Sequence, residues 1–361
     1  MPLKVLRDRG HSFGTWVAAF DVEHTRDGWI SFPTMKRVPL LLSLLASVAL
    51  LTPALILADR DSEEAKKIVF VAGNRSHASG EHEFRAGCLL LAKALNEQSG
   101  LPLEAVVVGA DWKKDPTVLA DADAVVIYAD GTSGIAGQWD YLDGLAKKGV
   151  GTVFMHYAVH PNKEQGKKYY QPWIGGAMET GWSVNPHWFA EMNVDKDHPV
   201  GRGVPEKVEC LDELYYNMRF LEDRSKVLDL VTAVPTRERM RRYINLWNKH
   251  GIEGLNQRHA VMWGYERPNG GRGVGFTGGH YHHCWALDGF RSVVLNAIVW
   301  AAGMEVPESG VKSAPLTEDD LNANLDDYGD KMRRLKLPDV EAWRKAAPAR
   351  INEEREAGFF Q

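Results

Sequence analysis

The sequence predicts an α/β protein built on a doubly wound, mostly parallel sheet, and three observations lead there. Compact apolar runs of strand length alternate with amphipathic stretches of helix length, as βαβ units require. The runs are apolar throughout, as in strands covered on both faces. One hairpin signal, Pro268-Asn269-Gly270-Gly271, adds an antiparallel pair at an edge of the sheet.

The elements follow in order. Residues 67–73 (KIVFVAG) make a first buried strand, and the loop 74–80 leads into a helix over 81–98. On that helix Phe84, Cys88, Leu91 and Leu95 form one apolar stripe, so Cys88 reads as a small core residue. Residues 103–109 and 124–129 give two more strands, 134–148 a helix, and 151–157 (GTVFMHY) a fourth strand. Right-handed crossovers join such units. Periodicity then lapses over 158–205, a stretch rich in Gly, Pro, Trp and His that suits a functional excursion. Strand-like runs return at 207–218, 226–234 and 259–267, and the Asn-Gly turn sends 272–279 back antiparallel. An amphipathic helix over 288–302 closes the domain, and 237–257 reads as an inserted, basic helical flap.

The domain proper therefore spans 67–305, preceded by a charged linker at 59–66 and followed by a charged, helical tail at 306–361. In that tail Thr317 and Asp320 have capping-box spacing. Met35-Lys36-Arg37 opens an apolar run from Val38 to Leu57 that ends at Ala58. This is the pattern of a secretory signal peptide, and Pro39, Pro53 and the small-residue exit favour cleavage over a membrane anchor. The chain is expected to be exported, periplasmic or extracellular, without stable membrane insertion after cleavage. Residues 1–34 read as a mis-called start or a dispensable extension. Cys88, Cys210 and Cys284 are odd in number, so at least one thiol is free or pairs between chains. A net charge of −5 argues weakly against nucleic acid, because binding phosphates needs a basic face.

Ligands of an open parallel sheet bind beyond the carboxyl ends of its strands. His77 follows strand one, His156 ends strand four with His160 four residues on, and His280 ends the last strand. Three strand ends thus bring imidazoles to one edge, suited to a divalent transition metal or to acid–base work with Glu81. If the backbone stays extended, His280 and His282 project to one side and both join the metal set with His77 and His156. His82 opens the first helix beside Glu81. Each of these residues also has a structural reading: a solvated loop, a helix N-terminus or a hydrogen-bonded core histidine. Trp182, Trp188 and Trp285 could stack on sugar rings, though core Trp is commoner. No HExxH pair or GxSxG elbow occurs, and no cysteine stands at the strand-four turn, which disfavours a zinc protease and a covalent amidase or esterase.

The stretches SHASGEHEFRAG, VFMHYAVH, DHPVGRGV, DELYYNM and HAVMWGYERPNGGRGVGFTGGHYHHCW, followed by VVLNAIVWAAG, resemble the ThuA-like (trehalose utilisation) family. The resemblance runs through 67–304 in order. It implies a flavodoxin-like sandwich with helices on both faces, related to class I glutamine amidotransferases but lacking their cysteine nucleophile. It also implies a sugar or glycoside partner, including oxidised (keto) glycosides. It carries over to His77, Glu81, His82, His156, His160, Glu213, Tyr216 and His280. The excursion around Trp173, Trp182, His187 and Trp188 and the flap look like this chain's own elaboration. The leading expectation is a hydrolase or lyase acting on a glycoside, with no nucleotide cofactor. Two rivals are a non-catalytic carbohydrate-binding protein using the same pocket and a structural partner docking through its tail. An oligomer stays open.

Overall fold

The structure is a computed structural model that describes residues 65–242, 248–350 and 353–360. The extension, the signal segment, most of the linker and the middle of the flap lie outside the described residues.

Among the described residues the strands are β1 (Lys66–Ala72), β2 (Leu103–Val108), β3 (Ala124–Tyr128), β4 (Gly151–Met155), β5 (Gly176–Ala177), β6 (His187–Val194), β7 (Lys207–Asp212), β8 (Arg219–Phe220), β9 (Val227–Ala233), β10 (Met240–Arg242), β11 (His259–Glu266) and β12 (Arg272–Phe276). The three long helices are α1 (Phe84–Glu97), α2 (Trp139–Lys147) and α3 (Asp288–Ala301). One ten-stranded sheet runs β10-β6-β9-β11-β12-β4-β3-β1-β2, with β7 paired to β6. β2, β1, β3, β4 and β12 are mutually parallel.

Alternation along the parallel strands builds two cores. Ile68, Phe70, Val126, Met155 and Phe276 face one side, where Phe84, Cys88, Leu91 and Leu95 of α1 and Phe290 to Ala301 of α3 cover them. Val69, Val71, Val125, Ile127 and Phe154 face the other, under Leu142 and Leu145 of α2 and the aromatic segment holding Tyr169, Tyr170 and Trp173. Each such side chain, fully buried, contributes roughly 1.5–3 kcal/mol. The α/β class with helices on both faces, expected from the apolar runs, is the fold observed. All three cysteines are buried free thiols. No helix among the described residues is long and apolar enough to cross a membrane.

Four expectations need correction. The hairpin β11–β12 forms at its turn, with Arg267 N donating to Gly271 O, but it lies inside the sheet, where β12 joins β4 and β11 joins β9. The excursion 158–205 contains β6, an eight-residue strand that anchors an antiparallel wing through β7, β9 and β10. The flap contributes β10 and a short helix, Lys249–Glu253, rather than a helical excursion. In the tail, Thr317 caps a helix of only five residues, and most of the chain from 306 onward is an irregular strap over the domain.

Candidate functional site

Four parallel strands end at one edge, and each hands a residue to it. The loop after β1 carries Ser76, His77, Glu81 and His82; Asp130 follows β3; His156 follows β4; Thr277 and His280 follow β12. The antiparallel wing adds His187, which opens β6, and Asp212-Glu213 at the end of β7, paired as Trp188 opposite Asp212. A short antiparallel bridge then sets the two histidine-bearing loops side by side: His82 N donates to His280 O and His282 N to Gly80 O, both at 2.9 Å.

His82 and His156 both adopt left-handed backbone, with φ of 52° and 53°. A bulky residue there is strained, and such strain persists only where surrounding contacts hold it. At His156 the strand breaks directly into a 3₁₀ turn, so the imidazole is thrown out at the strand end. This is the sharp strand-to-helix turn that other α/β folds use to present a nucleophile.

His82, His156, His280 and Glu213 are all buried and each offers a donor atom within 4.8 Å of the others. His82 Nε2 faces His156 Nε2 at 2.9 Å. Glu213 Oε2 lies 3.3 Å from His156 Nε2 and 3.2 Å from His280 Nδ1, and its Oε1 lies 3.4 Å from His187 Nε2. Asn185 Nδ2 donates to that same Oε1 at 3.0 Å.

The electrostatics are uneven. Burial would raise the Glu213 carboxyl, but the three imidazoles around it hold it well below the usual carboxylate range. Burial lowers His156, yet the Glu213 carboxylate more than offsets this and keeps it above its ordinary value. His280 is pushed down to about 3, chiefly by burial. His82 falls well below its ordinary value through burial and then through its neighbours His156, His280 and His77. Of the three rings His156 is therefore the one most readily protonated, and its Nδ1 can donate to Thr277 O at 2.9 Å while its Nε2 points into the cluster. Burial and the neighbouring rings disfavour protonation of His82 and His280. The buried His280 ring has the Glu213 carboxylate 3.2 Å from its Nδ1, while its Nε2 has only Glu81 Oε2 nearby, at 3.8 Å.

Outer contacts aim these rings. Ser76 Oγ meets His82 Nδ1 at 3.0 Å and His77 Nδ1 at 2.9 Å, and Asp130 Oδ1 stands 3.8 Å from His82 Nδ1. Tyr281 hydroxyl meets His187 Nδ1 at 2.8 Å. Buried Asp212 accepts from the backbone N–H of Gly279, Tyr281 and Glu213 at 2.6, 3.1 and 2.9 Å, tying the His280 loop to the carboxylate it faces.

The sequence-predicted residues fall into three sets. His156 and His280 sit in the four-donor cluster, joined by His82 and Glu213, which the resemblance had placed at the site without a ligand role. His77 and Glu81 lie at its rim: His77 is exposed, grouped with His82 and Asp130, and Glu81 Oε2 is 3.8 Å from His280 Nε2. His187 reaches Glu213 from behind. His160 stands apart, bonded to Thr180 Oγ1 at 2.9 Å, with burial lowering it to about 4.

The remaining expectations are corrected. The backbone turns into a 3₁₀ helix at His282, so that ring joins neither donor group and is fully enclosed elsewhere. Trp188 and Trp285 are completely buried and present no face to a sugar, as is Tyr216, whose hydroxyl donates to Gly251 O. Half-buried Trp182 is covered by the Arg219 guanidinium, 3.5 Å from its ring. Asp130, Asn185, Asp212 and Tyr281 were not foreseen. For Asp212 the acidic pair at the end of a strand-like run was the available signal.

The profile of the trehalose-utilisation family, ThuA, matches residues 69–301. Among the solved structures similar to the chain are two ThuA-like proteins. A ThuA-like protein of Parabacteroides merdae is 17% identical with a TM-score of 0.47, covering 71% of this chain and 99% of its own. A ThuA-like protein of Bacteroides uniformis is 14% identical with a TM-score of 0.48, covering 70% and 96%. No curated protein matches significantly. With the profile spanning well over half of the sequence, and every residue of the histidine cluster inside it, the chain belongs to the trehalose-utilisation (ThuA) family.

Proposed function

We propose that the chain is an exported, sugar-active enzyme, a hydrolase or lyase acting on a glycoside or oxidised (keto) glycoside, whose site holds one divalent transition metal. The observation that carries this reading is the cluster of three buried imidazoles around one buried carboxylate. Neutral imidazole and carboxylate are the ordinary ligands of such ions, and four converging donors match their usual number. His280 fits, because its buried Nε2 makes no hydrogen bond, which is costly unless something binds it, and its Nδ1 faces the Glu213 carboxylate. His82 and His156 fit too, since two ring nitrogens facing at 2.9 Å can share only a proton or a cation.

His82, His156, His280 and Glu213 would hold the ion, which would supply Lewis acidity to a sugar carbonyl or hydroxyl. The chain's own residues do the rest. Thr277 O and Ser76 Oγ fix the rings of His156 and His82, as outer contacts do at metal sites. Exposed His77 and half-buried Glu81 stand on the open side, placed to take or return a proton at a sugar oxygen.

The test is elemental analysis of protein purified after export and without a His tag. One near-stoichiometric transition metal, lost in His156→Ala or His280→Ala with the fold intact, is the expected result. Turnover of a keto- or unmodified glycoside should disappear in the same variants; unchanged activity in both would sink the enzyme reading. A metal-free protein that still binds sugar without forming product would instead make it a carbohydrate-binding accessory.

A further inference from the structure

The family profile ends at residue 301, yet the chain continues as a strap that reaches back to the rim of the site. Residues 326–335 lie against the loop that carries His77, Glu81 and His82, and the contacts are specific. Buried Glu83 bridges the two: its Oε1 accepts from Gly80 N at 2.8 Å and its Oε2 from Asp326 N at 2.7 Å. Arg333 N donates to Ser79 Oγ at 3.0 Å. The Arg75 guanidinium bonds to the Asp327 carbonyl and lies over the Tyr328 ring, 4.9 Å from its centre. Leu335 packs onto Gly80, where a Cβ would come within 2.6 Å of it. Asn322 pins the far end of the strap by accepting from Leu335 N and donating to Leu335 O.

Between strap and loop lies a cavity of about 510 Å³, walled by His77 and Ser79 on one side and by Tyr328, Asp330, Lys331 and Arg333 on the other. That size falls within the roughly 300–1,000 Å³ of small-molecule sites. Its lining is unusual in two respects. The Tyr328 hydroxyl is buried without a hydrogen-bond partner. Lys331 and Arg333 have no carboxylate partner among the described residues, whereas their neighbours Arg334 and Lys336 pair with Asp319 and Glu318. Asp330 offsets one of the two cations, leaving the wall net positive.

We propose that this cavity is an outer subsite that takes an anionic substituent, a carboxylate or a phosphate, on the sugar held at the histidine cluster. The inference rests on the sugar-active reading above. His77 stands both at the rim of the cluster and in this wall, so a ligand bridging the two would carry its neutral ring at the cluster and its charged group toward Lys331, Arg333 and the Tyr328 hydroxyl. Charged acceptors pair more strongly with such donors than neutral hydroxyls do.

The experiment is calorimetric titration of the full chain at fixed ionic strength with glucose, glucuronate and inorganic phosphate, repeated on the Lys331→Ala/Arg333→Ala double variant and on Tyr328→Phe. Both cations are exposed, so the double variant keeps its fold. Glucuronate should bind at least tenfold more tightly than glucose, and that preference should vanish in the double variant while glucose binding is unchanged. Tyr328→Phe should weaken glucuronate several-fold. A carboxylate preference lost with the two cations assigns the site to acidic sugars; phosphate binding lost with them assigns it to phosphorylated ones. Absence of both, or anion binding that survives in the double variant, overturns the subsite. Phosphate binding without any sugar binding keeps the anion site and removes the sugar reading.

Discussion

Asp212 shows how much of this site depends on one carboxylate that never faces the ligand side. It accepts three backbone N–H groups, so Asp212→Ala leaves three buried donors unpaired, each worth about 1–3 kcal/mol. Urea unfolding should report a loss of at least about 3 kcal/mol, well above that of His280→Ala. A second residue-scale prediction concerns His282, held at about 3 by burial and then by His283. Its folded pKa lies below its unfolded value, so the unfolded chain binds a proton that the folded chain refuses. Stability is therefore fully present above about pH 6.5 and falls on acidification toward pH 3, by up to about 1.4 kcal/mol per pH unit for this one residue. Neither ring nitrogen of His282 has a partner. Calorimetry on His282→Leu should thus find Tm near wild type at pH 7 and a shallower decline by pH 4.5. His156 and His280 were legible in the sequence because each ends an apolar run. The place of His82 in the four-donor cluster and the part of Asp130 were not, since a left-handed φ and a partner on another strand leave no local pattern.

At the scale of elements, the parallel half of the sheet was readable and the antiparallel half was not. β1, β3 and β4 are short apolar runs, buried throughout apart from Lys66 and Lys67 at the start of β1, and each observed strand lies within its expected range or one residue outside it. β6 does carry an alternation, with Trp188, Ala190, Met192 and Val194 on one core face, but it lies within a Gly-, Pro- and Trp-rich stretch and its pairing with β7 and β9 rests on contacts distant in sequence. The glycines of β12 follow a packing rule of their own. A Cβ at Gly275 would sit 2.1 Å from Trp263 Cζ2 on the neighbouring strand. Gly275→Val should therefore cost more than the roughly 1–3 kcal/mol of ordinary overpacking, because the indole is fully buried and its Nε1 is bonded to Ile174 O. A fall in Tm larger than that of Val274→Ala would establish the point; an equal or smaller one would refute it.

For the whole molecule, the tail matters most. Its charge and capping box suggested a polar helix or a docking arm, but composition says nothing about where a strap lands. Its path is set by Glu83, Arg75 and Ser79, residues more than two hundred positions earlier. Glu83→Ala should loosen both partners of the clasp at once. Amide exchange of residues 78–83 and 326–335 should quicken together by tenfold or more, while β1 and β4 stay protected. Faster exchange in the tail alone would mean that the loop holds itself. Removing residues 307–361 should likewise disturb the histidine loop, contrary to a tail that serves only a partner.

The strap also sets the order in which the site can come into being. A chain made at about 5–20 residues per second folds its early segments before its last ones are available. All members of the four-donor cluster are present once residue 280 has emerged, and α3 follows within some twenty residues. The wall beside His77 waits for residues 326–335, near the end of the chain. Until those residues have emerged, the chain holds every donor of the cluster but not the outer wall beside His77.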